Sequence, residues 1–171
     1  MAGIIVCCRN LTGIFATIGT LGHNRRHNRK IGIMITQKSI NEISHVIIGS
    51  AIEIHRELGP GLLESVYEKC LRHLLNNQGL KIVSQQKVPV QFRGLYLDCD
   101  LRFDLLVEDL IIVEIKAVEY ILPIHEAQLL TYLRLLEKPK GVLINFNCMN
   151  IFREGQKTFV NDFFARLPKG Y

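Results

Sequence analysis

The sequence lacks several features that would each assign a function directly. None of its 171 residues is tryptophan. No apolar run approaches the roughly 20 residues of a membrane-spanning helix, so no membrane partner is expected. The pattern GxxxxGK[ST] is absent, which argues against nucleotide hydrolysis through a phosphate loop. Cys70, Cys99 and Cys148 stand alone, without a CxxC pair or a histidine at metal spacing. Such isolated cysteines are typical of reduced thiols in a cytoplasmic protein.

Negative charge is missing from the first 41 residues, where six Lys and Arg occur without any Asp or Glu. Of the totals of 21 basic and 16 acidic residues, 15 and 16 therefore remain in residues 42–171, a net charge of −1. We interpret residues 1–33 as a poorly structured basic extension, with Met34 as the expected translation start. A nucleic-acid-binding arm and an organelle presequence are the alternatives. Residues 34–171 are expected to form a single domain.

Hydrophobic periodicity indicates an α/β order of elements. Two helices come first and are separated by the break Gly59-Pro60-Gly61. Three or four strands, a helix, a strand and a tail that packs against the sheet are expected to follow. Pro89 indicates an edge strand or a bulge. The predicted segments are helices over 39–58 and 62–77, strand patterns over 81–92, 95–107 and 110–118, a helix over 123–136, a strand over 141–147 and an amphipathic tail over 150–171.

Two charged residues, Glu114 and Lys116, interrupt the most apolar predicted strand. They are two positions apart and hence on the same face of that strand. Because a buried unpaired charge is costly, a partner or a metal ion is expected nearby. Asp104 on the preceding strand is the third charged candidate. Carboxylates, water and phosphate oxygens are the ligands of Mg²⁺, so Asp104 and Glu114 are candidate ligands. Lys116 is a candidate for orienting or deprotonating an attacking water.

The pairing of Asp104 with Glu114 imposes a geometric condition. The two residues share a face across a regular hairpin only if the connecting loop has an odd number of residues. We predict the three-residue loop Glu108–Leu110 or a bulge. A regular two-residue loop would place the carboxylates on opposite faces and exclude a shared site.

The spacing Asp104, Glu114, Lys116 resembles the D-x(n)-E-x-K pattern of the PD-(D/E)xK nuclease superfamily, although Phe103 stands where the superfamily name has proline. The segment Gly61–Tyr67 matches the G-x-x-E-x-x-Y signature of the GxxExxY protein family. Further similarity to that family lies in the segments 113–119, 125–133 and 141–146. The resemblance extends over about residues 37–164. It implies a restriction-endonuclease-like core, with a mixed sheet of about four to five strands flanked by helices and two N-terminal helices.

The resemblance also implies roles for individual residues. Glu64 would be a further acidic residue of the site, whose core is the Asp, Glu and Lys set. Gln128 and Tyr132 are similar to the Q-x-x-x-Y element of RecB-like nucleases and share one helical face. Gln128 would then hydrogen-bond a phosphate or a metal-bound water, with support from Tyr132. One or two Mg²⁺ or Mn²⁺ ions would be held by Glu64, Asp104 and Glu114.

The implied activity is that of a metal-dependent nuclease that hydrolyses phosphodiesters of nucleic acid, with DNA as the expected substrate. The alternative is a non-catalytic nucleic-acid-binding or interaction module that keeps the nuclease fold. The complete set of acidic residues and lysine favours the enzyme, whereas the near-neutral domain favours the alternative. A homodimer is one arrangement in which a small nuclease can cut both strands of a duplex.

Structural roles are the alternatives for the charged candidates. The two charges within the strand would form a structural ion pair. Asp104 would pair with Arg102 or flank a turn. Glu64 would pair with Lys69 or stabilise the helix dipole at the start of its helix.

The other candidates also have structural alternatives. Gln128 and Tyr132 would lie on the helix surface. Tyr67 is predicted to pack in the core with a tethered hydroxyl group. His55 and His125 are predicted to be polar helix residues rather than metal ligands.

Overall fold

Residues 34–170 are described in a computed structural model of the protein. The expected basic extension, residues 1–33, lies outside this described part of the chain. The elements in chain order are α1 (Gln37–Leu58), α2 (Glu64–Asn77), β1 (Ile82–Ser84), β2 (Val90–Phe92), β3 (Leu95–Leu97), β4 (Leu105–Val107), β5 (Ile111–Lys116), α3 (Pro123–Leu135), β6 (Lys140–Asn145), β7 (Gln156–Val160) and α4 (Asp162–Ala165). None of the helices within residues 34–170 is long and apolar enough to span a bilayer.

Five strands form one mixed sheet in the order β1-β4-β5-β6-β7. The central neighbours β5 and β6 are parallel and are connected through α3, and the other neighbours are antiparallel. Strands β2 and β3 form a separate antiparallel pair. The predicted mixed sheet with flanking helices and two N-terminal helices is confirmed, and it is consistent with a restriction-endonuclease-like fold.

The two faces of the sheet pack against different helices. Val113 and Ile115 of β5 join the core formed with α1 and α2. Ile112 of β5 and Leu143 of β6 join the core beneath α3. Because side chains alternate along a strand, Glu114 lies on the same face as Ile112. The charged residues of β5 therefore lie on the α3 side of the sheet.

The expectation of one strand pattern over residues 95–107 is wrong, because β3 and β4 belong to different sheets. Lys87 pairs with Arg102, whereas Val90 pairs with Leu97. Two residues separate Lys87 from Val90 on one side, whereas four residues separate Leu97 from Arg102 on the other. This bulge lies opposite Pro89, which has no N–H to donate to a ladder. The extra residues of the bulge belong to segment 98–101 and not to the strand that contains Pro89. Within the described residues β2, which follows Pro89, pairs with β3 alone and is an edge strand, which was one of the two alternatives predicted from Pro89.

The prediction that the tail packs against the sheet is correct for Phe159 and Phe164, which pack against the two core clusters, but it misses a strand. Residues 156–160 form β7, which pairs with β6 and extends the sheet by one edge strand. Between residue 34 and α3 the chain forms five strands rather than three or four. The side-chain pattern did not predict these strands, because the choice of backbone partner depends on strands that are distant in sequence.

Candidate active site

Asp104 and Glu114 are brought together by the register of the β4–β5 hairpin. Leu105 pairs with Val113, and continuing this register by one residue places Asp104 opposite Glu114. The loop consists of residues 108–110, two of which adopt positive φ angles of 53° and 58°. The predicted three-residue loop is confirmed, and the condition for a shared face is met.

The carboxylate of Asp104 is held at the end of the hairpin. It accepts hydrogen bonds from the backbone N–H of Ile115 at 2.8 Å and from the amide of Gln85 at 3.1 Å. Burial raises the pKa of Asp104 above its ordinary value, although the Ile115 N–H opposes this shift. Arg102 pairs instead with Asp100, at 3.6 Å. The proposed Asp104–Arg102 ion pair is therefore wrong.

Glu114 is buried, with 2% of its surface exposed. Its Oε2 lies 3.2 Å from Nζ of Lys116. Its Oε1 is buried and has no hydrogen-bond partner within residues 34–170. Burial, followed by the negative charge of Asp104, raises the pKa of Glu114 to about 7. Because an unpaired buried oxygen is costly, the ion pair alone does not satisfy this carboxylate.

Lys116 carries the positive charge of the cluster. Burial lowers its pKa, but attraction to Glu114, Asp104 and Glu64 outweighs burial and leaves the pKa above its ordinary value. The ammonium group is therefore protonated at neutral pH. This favours a role in orienting a water or a phosphate oxygen over a role as a base.

Glu64 is the first residue of α2 and faces the end of β5. Its Oε1 accepts a hydrogen bond from the backbone N–H of Ala117 at 3.0 Å. The charge of Glu64 raises the pKa values of both Asp104 and Lys116, although it is the weakest of the influences on each. No ion pair joins Glu64 to Lys69 in the described residues, so that structural alternative is wrong.

Tyr67 fixes the loop that precedes Glu64, the first residue of α2. Its hydroxyl group donates to the carbonyl of Gly59 at 2.6 Å and accepts from the N–H of Leu62 at 3.1 Å. Its ring stacks on Phe146, with centroids 4.1 Å apart. The predicted packing role with a tethered hydroxyl is confirmed. In the G-x-x-E-x-x-Y motif, the tyrosine thus holds the segment that positions the glutamate.

Gln128 and Tyr132 form a unit on α3. The amide of Gln128 donates to the Tyr132 hydroxyl at 2.7 Å. Burial raises the pKa of Tyr132, the Gln128 amide opposes this shift, and the charge of Glu114 adds to it. Both residues line a cleft of about 190 Å³ together with Leu101 and Ile124. The predicted support of Gln128 by Tyr132 is present, and contact with a phosphate stays a prediction.

The two histidines make structural contacts. The Nε2–H of His55 donates to the carbonyl of Cys148 at 2.9 Å. Nδ1 of His125 accepts from the N–H of Leu122 at 3.2 Å, at the start of α3. Their predicted role as polar helix residues is confirmed.

Carboxylate oxygens are the donors with which this cluster could hold a metal ion. Within residues 34–170, no three His, Cys, Asp or Glu side chains form a group with the spacing of a metal site. Asp104 and Glu114 nevertheless fit a hard cation, because they supply carboxylate oxygens and Oε1 of Glu114 has no partner in the described part of the chain. Glu64 is bonded to Ala117, and its role as a ligand stays a prediction.

Asn145 is a site residue that sequence reasoning missed. It pairs with Lys116 in the parallel register and is buried. Its side chain accepts from the N–H of Val118 at 3.1 Å and donates to the carbonyl of Val118 at 2.8 Å. Asn145 therefore holds the loop that follows Lys116. The only local signal is a polar residue that ends an apolar strand, and its neighbour is set by long-range pairing.

A protein-family model matches most of the chain. The family model of the PD-(D/E)XK nuclease superfamily matches residues 41–158. This range contains the hairpin, α3 and the parallel strand pair. Searches of curated proteins and of solved structures give no match. On the family match, which covers more than half of the chain, this protein belongs to the PD-(D/E)XK nuclease superfamily.

Proposed function

We propose that the protein is a metal-dependent nuclease that hydrolyses phosphodiesters of nucleic acid, with DNA as the substrate. The observation that carries this proposal is the position of Asp104 opposite Glu114, whose buried Oε1 has no partner among the residues that the structure describes. Within the superfamily, we assign the chain to the GxxExxY proteins because of the segment Gly61–Tyr67.

Asp104 and Glu114 would hold Mg²⁺ or Mn²⁺, and Glu64 would complete the acidic set. A bound ion would lower the pKa of its water and offset the charge that develops on the phosphate. Because the pKa of Glu114 is about 7, protons compete with the ion near neutral pH. A cation beside the paired carboxylates would therefore favour the ionised form of Glu114 near neutral pH.

Lys116 and Gln128 would act on the substrate directly. The protonated ammonium group of Lys116 has hydrogen atoms beyond the one directed at Glu114. These can orient the attacking water or a phosphate oxygen. The Gln128 amide uses one N–H on Tyr132 and keeps a second N–H for the phosphate.

The test is a cleavage assay on single-stranded, duplex and branched DNA with Mg²⁺ or Mn²⁺. Asp104→Ala and Lys116→Ala are expected to lower the rate by roughly 100-fold or more, as for removal of a group that stabilises charge. Matched controls are Asp98→Ala and Lys87→Ala, because these residues also pair at 3.2 Å but are exposed. Unchanged activity in both site variants would reject the assignment.

A non-catalytic nucleic-acid-binding module is the second candidate. It is favoured by the near-neutral charge of residues 42–171 and by the hydrogen bonds that already engage Glu64 and Asp104. Calorimetric titration with Mn²⁺ separates the two functions. Binding of Mn²⁺ that is lost in Asp104→Ala supports the nuclease, whereas nucleic-acid binding without any metal binding supports the module.

The proposal also covers the bounds of the active domain, the location of the protein in the cell and its oligomeric state. We assign the activity to residues 34–171 and treat residues 1–33 as a basic extension. The free thiols of Cys70, Cys99 and Cys148 support a cytoplasmic location. A homodimer would let two sites cut both strands. Light scattering tests the dimer, and cleavage by a chain that begins at Met34 tests the domain assignment.

A further inference from the structure

We propose that a cavity beside the candidate active site binds an unpaired nucleobase, so that the substrate is single-stranded nucleic acid or an unpaired end. The cavity has a volume of about 430 Å³. That volume is within the range of roughly 300 to 1,000 Å³ that is usual for small-molecule sites. The inference rests on the proposed nuclease function and specifies its substrate class.

The cavity adjoins the charged residues through the β5–β6 pair. Leu143 and Asn145 line the cavity and pair with Glu114 and Lys116 respectively. Paired residues point to the same face of a sheet, and neighbouring strands lie about 4.8 Å apart. Successive nucleotides rise by about 3.4 Å along one strand. A phosphate held at Lys116 therefore leaves an adjacent base within reach of the cavity.

The apolar side chains of the cavity suit the flat face of a base. Tyr120 and Met149 line it and are 70% and 88% exposed. Ile121 lines it too, next to Tyr120. Large apolar side chains left in solvent beside a cavity indicate a binding surface. Aromatic rings are the usual platforms for unpaired bases, because every base has a π-face.

The polar side chains of the cavity suit the edge of a base. Asn147 and Gln156 line it, and an amide offers both a donor and an acceptor. The N–H of Asn147 donates to Oδ1 of Asn145 at 3.2 Å, which fixes this amide residue beside the cavity. The hydrogen-bonding edge of an unpaired base presents the complementary groups.

The charges of the cavity do not suit a phosphate. Lys157 is engaged in an ion pair with Glu126 of α3. Glu154 accepts hydrogen bonds from the backbone N–H groups of Met149 and Asn150. With Glu119 also lining it, the cavity carries two acids and one paired lysine. A neutral base therefore fits better than an anion.

A base inside the cavity cannot remain in a duplex. Enzymes that enclose a base act on single strands or turn the base out of the helix, at a cost of about a few kcal/mol for a paired base. No such cost arises for a single strand. The cavity therefore predicts a preference for single-stranded substrates over intact duplexes.

The test is a binding measurement on the full chain, in EDTA so that no metal-dependent cleavage takes place. A labelled single-stranded oligonucleotide and its duplex are titrated in about 0.15 M salt, which screens non-specific attraction. The single strand is expected to bind more tightly than the duplex. Tyr120→Ala is expected to weaken single-strand binding by about 5-fold to 150-fold, the equivalent of one base-stacking contact.

Tyr96→Ala is the matched control, because Tyr96 is 77% exposed on β3 and does not line the cavity. It is expected to bind both oligonucleotides like the unmodified protein. Tyr120→Phe keeps the ring and is expected to retain single-strand affinity. Oligonucleotides that contain 2-aminopurine should lose fluorescence on binding, and Tyr120→Ala should remove this quenching.

Three results would overturn the inference: no binding to either oligonucleotide, equal affinity for single strand and duplex, or identical behaviour of Tyr120→Ala and Tyr96→Ala. Failure of the nuclease proposal looks different. Binding that depends on Tyr120, without cleavage when Mg²⁺ is added, rejects the nuclease and keeps the cavity. Metal-dependent cleavage that Tyr120→Ala leaves unchanged keeps the nuclease and rejects the cavity.

Discussion

The ion pair between Glu114 and Lys116, 3.2 Å long, satisfies only one of the two carboxylate oxygens of Glu114. The other oxygen is buried without a partner in the described residues. A structural ion pair would be more stable with both oxygens bonded. The unsatisfied oxygen therefore indicates that this residue is arranged for a ligand, and it leads to predictions that do not depend on cleavage.

The stability of the protein should depend on the protonation of Glu114. Its pKa in the folded state, about 7, is above its ordinary value of 4.5. The stabilising effect of the proton is complete below the ordinary value and is lost as the pH rises through about 7. Glu114→Gln, which stays neutral, should therefore gain stability relative to the unmodified protein as the pH rises. The gain should approach about 3 kcal/mol, since one pKa unit corresponds to about 1.4 kcal/mol.

Urea unfolding of both proteins at about pH 5 and about pH 8 measures this difference. Comparing the two proteins at each pH cancels the titration of groups that they share. Glu53→Gln, at an exposed position of α1, is the control and should show no such trend. A stability difference for Glu114→Gln that is the same at both pH values would contradict the prediction.

Metal binding should stabilise the protein more at high pH than at low pH. A cation at Asp104 and Glu114 must displace the proton from Glu114. Saturation with Mn²⁺ should therefore raise Tm more at about pH 8 than at about pH 6. Thermal unfolding followed by fluorescence measures the shift. Glu114→Gln should lose most of it, and an equal shift at both pH values would argue against this site.

Tyr67→Phe should loosen the start of α2. The change removes the hydroxyl group that joins the Gly59 carbonyl to the Leu62 N–H. Two polar groups then lose their partner, and we expect a loss of about 1 to 3 kcal/mol in the free energy of unfolding. Because this loop positions Glu64, the affinity for Mn²⁺ should also fall. Tyr120→Phe is the control for removing a hydroxyl group, and unchanged stability of Tyr67→Phe would show that the tether is unimportant.

Gly141→Ala and Gly49→Ala should change stability in opposite directions. A Cβ atom at Gly141 would lie 2.9 Å from the side chain of Leu129, so the contact between β6 and α3 is already full. Overpacking of this kind costs about 1 to 3 kcal/mol. A Cβ atom added at Gly49 in α1 would have no contact within 4 Å among the described residues. Alanine at this position should therefore stabilise the helix by about 0.5 to 1 kcal/mol. Urea unfolding distinguishes the two outcomes, and stabilisation by Gly141→Ala would contradict the packing.

Much of the region around the site could be predicted from local sequence. The helix of Pro123–Leu135 begins where its proline indicated, and the three-residue loop of the hairpin is one of the two alternatives that a shared face for Asp104 and Glu114 requires. The pairing of residues 87–92 with residues 95–102 could not be predicted in this way. The bulge opposite Pro89 arises because the Lys87–Arg102 pair and the β2–β3 ladder differ in register, and each register is set by contacts outside this segment.

The three charged candidates, and the face that Glu114 and Lys116 share, follow from the amino-acid sequence, because side-chain alternation along a strand is a local property. Three further features arise only in the folded chain: Oε1 of Glu114 lacks a partner within residues 34–170, Asn145 lies beside Lys116, and a cavity opens next to this pair. These features depend on β5, β6 and the loops after them, which are joined by pairing between distant residues. Local patterns specify which way a side chain points, whereas its neighbours are specified by the packing of the whole sheet.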